Sequence, residues 1–300
     1  MAPRTPIAAA KPPLRAKAGV RAVALSLTLL ISAPAHTQLA VPASVTTSTS
    51  LHAQSTQSAL TRRWPPAINS RLSWLVLDLS SGQIISHQGP DLDLPIPVGS
   101  LTKPFLALAY ARTHTAFPHL TCRGTQDRCW LPRGHGSLGV EDALAHSCNA
   151  YFLALARQTD PDALQSVLQL LGLPSPPAGA SPAALIGLDP TWEIAPATLA
   201  RAYARLLSQP DAASILIGLR QAASKGSASA LFSEDALAKT GTAPCHRRTC
   251  IANADGLVIA ITPVENPRTL LLLRQQGSTG AGTSALAAQM LQVLEVPHAR

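Results

Sequence analysis

The sequence predicts an α+β fold: an antiparallel β-sheet flanked by helices, with an inserted mainly helical subdomain. Three observations carry this expectation. Two apolar β-prone runs in "RLSWLVLDLSSGQIISHQG" flank "SSGQ" and read as a β-hairpin with a four-residue loop. Far downstream, "DALAKTGTA", "GLVIAITP" and "RTLLLLRQ" read as three sequential antiparallel strands with short Pro- or Gly-containing connections. Between the two sets the apolar spacing is helical, so strands from both chain ends share one sheet around a helical insertion. A chain of 300 residues with 46% apolar composition can bury the core this needs.

Taken in order, the first element is a leader. Arg4, Lys11, Arg15, Lys17 and Arg21 precede an apolar run from Ala22 to Ile31, followed by Ala33, Pro34 and Ala35. This is the layout of a secretory signal peptide over residues 1–35, cleaved after Ala35. The run is about half the length of a bilayer-spanning helix. Membrane association is therefore expected only if the leader stays uncleaved, and the mature chain is expected to be exported to the periplasm or cell envelope. Residues 36–64 are rich in Ser, Thr, Gln and Ala without periodic apolar positions, and read as a flexible tether. The folded domain is placed at 65–300. After the hairpin, helices are predicted from Leu101 to about Thr113, and over 141–157, 161–171 (ending on Gly172), 196–208 and 211–224; the last helix, over 283–295, follows the three strands.

Charge excludes one class of partner. The pI is about 9.7 and the net charge +8, but five of the 24 Lys and Arg residues lie in the acid-free leader, and its removal leaves +3. The few aromatics are not interleaved with basic residues as nucleic-acid stacking platforms require, so nucleic acid is not expected as a partner. All five cysteines lie beyond the leader, where disulfides persist. Cys122 lies near Cys129 and Cys245 near Cys250, so two local bridges would leave Cys148 over. Zinc ligation by Cys122, Cys129 and His135 is the alternative, without a second paired-ligand motif to complete it. No cofactor or metal is expected.

Three short motifs can carry chemistry. In "PIPVGSLTKPF", Ser100 and Lys103 share the first turn of a helix, and Pro104 is tolerated only near a helix start. A serine hydroxyl becomes a nucleophile when a neutral amine takes its proton, and burial or a second cation would keep Lys103 neutral. Taken alone, SxxK arises about once in a chain of this size, and Ser100 as a mere helix cap is the bland reading. In "AHSCNAYF", Ser147 and Asn149 could relay a proton and hold a substrate amide, or merely cap a helix junction. Lys239, Thr240, Gly241 and Thr242 offer a charge, two hydroxyls and close backbone access on a strand, which suits an extended carboxylate-bearing ligand. KTG is expected by chance only about 0.1 times per chain, although a charged strand that resists aggregation would look similar. Each motif occurs once, in this order, 47 and 92 residues apart.

At these residues the chain resembles the transpeptidase domains of penicillin-binding proteins and their serine β-lactamase relatives. The segments "GHGSLGVEDALAHSCNAYFLALA", "EIAPATLARAYARLL" and "ADGLVIAITPVENPRTLLLL" extend the resemblance over about residues 66–295. It implies that Ser100 is acylated by the penultimate D-Ala of a peptidoglycan stem peptide, or by a β-lactam. It implies Lys103 as base, Ser147 as proton relay and Asn149 as holder of the acyl side-chain amide. Lys239, Thr240 and Thr242 would bind the terminal carboxylate, with Gly241 between them, and the Ser100 and Thr242 N–H groups would form an oxyanion hole. Cell-wall assembly partners are implied as well. A β-lactamase would need a second base for deacylation, for which Glu193 is the candidate carboxylate. A sensor or scaffold that binds β-lactams or muropeptides without turnover is the third alternative.

Overall fold

In a computed structural model, residues 58–60, 62, 65–244 and 254–295 are described, and the predicted leader lies outside them. The helical turn α1 (Pro66–Asn69) leads into the hairpin β1 (Leu72–Asp78) and β2 (Gln83–Gln88). A short pair, β3 (Ile96–Pro97) with β6 (Glu193–Ile194), brackets the helical region. That region holds α2 (Lys103–Ala111), the small ladder of β4 (Leu120–Cys122) and β5 (Gly136–Leu138), α3 (Val140–Ala145), α4 (Asn149–Gln158), α5 (Pro161–Leu171) and α6 (Pro182–Leu185). Then come α7 (Pro196–Leu206), α8 (Ala213–Ser224), the strands β7 (Leu237–Pro244), β8 (Ala254–Thr262) and β9 (Thr269–Gln276), and α9 (Gly280–Glu295).

The main sheet has the order β2-β1-β9-β8-β7, and every neighbouring pair is antiparallel. The hairpin from the start of the domain docks on the last strand, so strands from both chain ends share one sheet, as the sequence predicts. A period of two explains the layering, because successive side chains leave opposite faces. Leu75, Leu77, Leu257, Ile259, Leu270 and Leu272 enter the core shared with the helical region. Trp74, Val76, Val258, Ala260, Leu271 and Leu273 enter a second core beneath α9, with Met290 and Leu291. Strands buried on both faces read as continuous apolar runs such as "TLLLLR", since neither face is solvated.

The helices follow local rules closely at α5. Asp160 caps it by accepting from the Asp162 N–H, Pro161 opens it, and Gly172 closes it in the left-handed region at φ 73°. The predicted helix over 141–157 is instead two helices, α3 and α4, broken at His146–Cys148. The bonds Ser147 N–H to Leu144 O and Cys148 N–H to Ala143 O close α3 with a paired terminal motif. That motif normally places glycine in the left-handed position, and here Ser147 takes it at φ 52°. Without a glycine, the stop is invisible to a pattern-based reading.

Two further differences concern the ends of the reading. Leu60 falls in the segment read as a tether, yet it is helical and fully buried with Trp74 and Leu291 in the second core. Cys122 and Cys129 are free thiols, as is Cys148, so the local bridge expected for the first pair is not formed. The expected pair Cys245 and Cys250 lies outside the described residues. No helix among the described residues is long and apolar enough to cross a membrane.

Truncating Leu60→Ala should cost about 2–4 kcal/mol in urea unfolding, as for other buried leucines. A cost within about 0.5 kcal/mol, the range of surface substitutions, would show that residues 58–62 are not part of the core.

Candidate active site

The first motif sits on a 3-10 turn, Gly99–Thr102, that runs into α2. Lys103 N–H bonds to the Ser100 carbonyl, and Pro104 occupies the opening of α2, where its missing N–H costs nothing. The turn is held from two sides. Tyr203 on α7 donates its hydroxyl to the Leu101 carbonyl at 2.8 Å, and its ring packs edge-on against Phe105. On the other side the turn touches β7 so closely that only glycine fits. A Cβ at Gly99, where φ is 55°, would lie 2.7 Å from the Thr242 carbonyl oxygen, and one at Gly241 would lie 2.7 Å from the Val98 carbonyl oxygen.

Three motifs distant in sequence converge on one hydroxyl. Lys103 Nζ donates to the Ser147 carbonyl (2.8 Å), to Asn149 Oδ1 (2.7 Å) and more weakly to Ser147 Oγ (3.3 Å). Lys239 Nζ donates to the same Ser147 Oγ at 2.8 Å and to the Thr240 carbonyl. Both lysines are fully buried, and neither forms an ion pair among the described residues. Every oxygen that receives them is neutral. The Phe152 ring lies 5.5 Å from Lys103 Nζ.

Burial therefore decides their charge. Loss of hydration pushes Lys103 down to about 7, against a smaller opposing pull from the neighbouring Cys148 and Cys129 thiols. Lys239 is driven well below the usual lysine range, first by burial and then by repulsion from Lys103. A pair of amines this close and this dry holds its protons loosely, as a proton-transfer site requires.

The Ser100 hydroxyl is half-buried and makes no hydrogen bond with a described residue, so the amine of Lys103 faces Ser147 and Asn149 rather than Ser100. On β7 the predicted ligand-binding hydroxyls are unequal. Thr240 Oγ1 pairs with Ser227 Oγ at 2.6 Å beside the site. Thr242 Oγ1 accepts from the Gly280 N–H at the start of α9, which leaves its backbone facing the Ser100 turn. β7 is an edge of the described sheet, the position at which an extended ligand can add alongside. Glu193 is exposed in β6, and its carboxylate bonds to none of the described residues. Tyr203 and Ser227 were not singled out by sequence reasoning. Neither belongs to a motif, and only the fold brings them to the site.

The family model of the penicillin-binding protein transpeptidase domain matches residues 74–295. Among curated proteins none matches by sequence. Similar solved structures include Pseudomonas aeruginosa PBP2 in complex with WCK 5153, at 17% identity and a TM-score of 0.66, covering 82% of this chain and 77% of that one. The apo transpeptidase domain of Burkholderia pseudomallei penicillin-binding protein 3 is 17% identical with a TM-score of 0.58, covering 84% and 96%. Helicobacter pylori PBP2 in complex with MreC is 14% identical with a TM-score of 0.63, and the match spans 81% of this chain and 62% of that one. At these identities the shared property is the fold.

Lysine NMR of selectively labelled protein should find one amine titrating near pH 7, absent in Lys103→Met. The sign follows from burial favouring the neutral form, so the proton leaves well below the ordinary value of about 10.4. Titration of all lysines near 10 would refute the burial argument.

Proposed function

Because the chain belongs to the penicillin-binding protein transpeptidase family, we propose that it is an exported serine acyl-transferase acting on D-Ala-D-Ala stem peptides of peptidoglycan, as a DD-transpeptidase or DD-carboxypeptidase. The observation that carries this reading is the convergence of two buried lysines on Ser147 Oγ, beside the turn bearing Ser100. In this reading Ser100 Oγ attacks the carbonyl of the penultimate D-Ala while its proton passes to neutral Lys103. The tetrahedral oxyanion is received by the Ser100 and Thr242 N–H groups. Collapse breaks the C–N bond, and Ser147 Oγ gives its proton to the departing amine and is reprotonated from Lys103. An acceptor amine or water then attacks the acyl-Ser100 ester by the reverse route.

The carboxylate of the substrate has a second task. Arriving beside Lys239 and Thr240, it favours the charged form of Lys239, since an opposite charge nearby stabilises an ammonium. A charged Lys239 in turn disfavours a proton on Lys103. Substrate binding itself thus readies the base. Asn149, already bonded to Lys103 through Oδ1, has its amide N–H groups left to hold the acyl side-chain amide. Helicobacter pylori PBP2 has been solved with MreC, and a comparable cell-wall assembly partner is part of this proposal.

A fluorescent penicillin should label the wild-type chain and not Ser100→Ala, with Lys103→Met slower by at least about 100-fold. The labelling rate should fall about tenfold per pH unit below roughly 7, because protonation removes the base. A persistent adduct, with transfer from a D-Ala-D-Ala peptide to an amine or water, supports the proposal. Rapid release would select a β-lactamase, a persistent adduct without peptide turnover would select a sensor, and no adduct dependent on Ser100 would sink the enzyme reading.

A further inference from the structure

Three thiols and an imidazole meet behind the turn that carries Ser147. Cys122 ends β4, Cys129 follows a 3-10 turn, His135 precedes β5, and Cys148 is the N-cap residue of α4. Their ligand atoms all lie within 4.8 Å of one another. His135 Nδ1 sits 3.6 Å from Cys122 Sγ and 3.5 Å from Cys129 Sγ, and Cys129 Sγ lies 3.9 Å from Cys148 Sγ. A tetrahedral zinc ion with ordinary bond lengths sets its ligands about 3.8 Å apart for two sulfurs and about 3.6 Å apart for sulfur and nitrogen. The three observed separations match that geometry, and the remaining pairs lie within 4.8 Å, close enough for small side-chain adjustments to complete it.

The surroundings are built for it. The ring of His135 makes its polar contacts through Nδ1 alone, toward the sulfurs, while Nε2 finds no partner among the described residues. The loop backbone folds back on itself so tightly that a Cβ at Gly124 or Gly134 would overlap the Pro132 or Cys122 carbonyl. The Cys148 sulfur stands at the N-terminus of a ten-residue helix, where negative charge is favoured. A cluster of unbonded thiols could pack as small hydrophobes, but packing does not require all four ligand atoms to converge on one point.

We propose that Cys122, Cys129, His135 and Cys148 bind one zinc ion in a closed structural site that fixes the turn presenting Ser147 and Asn149. On coordination the three thiols give their protons to solvent and no electron is transferred. The fourth ligand, Cys148, lies between Ser147 and Asn149 in the chain. The ion therefore ties the β4–β5 loop to the strained turn that aims Ser147 Oγ and Asn149 Oδ1 at Lys103, and it touches no substrate. The sequence alone offers Cys122, Cys129 and His135, and the fold supplies the missing ligand.

The test uses the full chain with C245S/C250S, so that only these three thiols remain. Prepared with zinc, it should retain one equivalent through dialysis. Zinc should block alkylation of all three thiols, and chelation should restore it. Cobalt reconstitution should give thiolate charge-transfer and tetrahedral visible bands, which C148S weakens and H135A alters. Zinc removed by dialysis, cobalt spectra without thiolate bands, or a Cys129–Cys148 disulfide formed in the presence of zinc would each overturn the site. The effect on the turn rests on the acyl-transferase reading above. Chelated, folded protein should be labelled by penicillin roughly tenfold or more slowly, with recovery on adding zinc. Unchanged labelling would overturn the clamp while leaving the metal measurements to stand or fall separately, and failure of all labelling in the zinc-loaded chain would count against the acyl-transferase alone.

Discussion

Two lysines buried without a counter-charge among the described residues, sharing one serine hydroxyl, are the constraint around which the rest of this structure is arranged. Burying an isolated ammonium is costly, and the ordinary response is to shed the proton. Here the response is the useful property. Lys103 reaches Ser147 and Asn149, and Lys239 reaches the same Ser147 hydroxyl. Lys103 can take up and release a proton near neutrality, and Lys239 sheds its proton well below the usual lysine range, because the enclosing core keeps water out.

That core explains why the domain is built from both chain ends. β7 carries Lys239 on an edge of the sheet, and the sheet is completed by β1 and β2 from the start of the domain. The central strands β1, β9 and β8 bury apolar side chains on both faces, so the sheet is a middle layer between α9 and the helical region. Against this layer the Ser100 turn is pressed by Tyr203 and admitted by Gly99 and Gly241. Ser147 shows what the arrangement costs. A non-glycine residue in the left-handed region costs about 1–2 kcal/mol, and here a serine whose hydroxyl meets both lysines stands where a helix terminus would ordinarily place glycine. Arg128 and Asp235 also take positive φ, but Ser147 is the one whose side chain both lysines address.

The cysteine cluster belongs to the same economy of positions. Cys148 is fully buried directly between the two polar residues of the turn, and its sulfur lies 3.9 Å from Cys129 Sγ. The turn is thus gripped from behind by the thiols and His135 and from the front by the two amines. A small excursion of the β4–β5 loop would be felt at Ser147 through one intervening residue.

The sequence by itself determined a good deal. The hairpin, the three late strands and the helices expected at 161–171 and at 196–208, the latter ending at Leu206, follow from local periodicity and capping, which need no tertiary information. The order of SxxK, SxN and KTG points to Ser100, Lys103, Ser147, Asn149 and Lys239 from the chain alone, because short motifs preserve local geometry. The tertiary structure decided what lies between those motifs. It broke the helix at His146–Cys148, buried Leu60, turned Lys103 toward Ser147 and Asn149, and sent the Thr242 hydroxyl to Gly280. It also gathered Cys148 with Cys122, Cys129 and His135, where spacing along the chain suggested a local bridge. The physical reason is the same in each case: burial, proton affinity and ligand convergence depend on neighbours separated by tens of residues, and only the packed core fixes which neighbours those are.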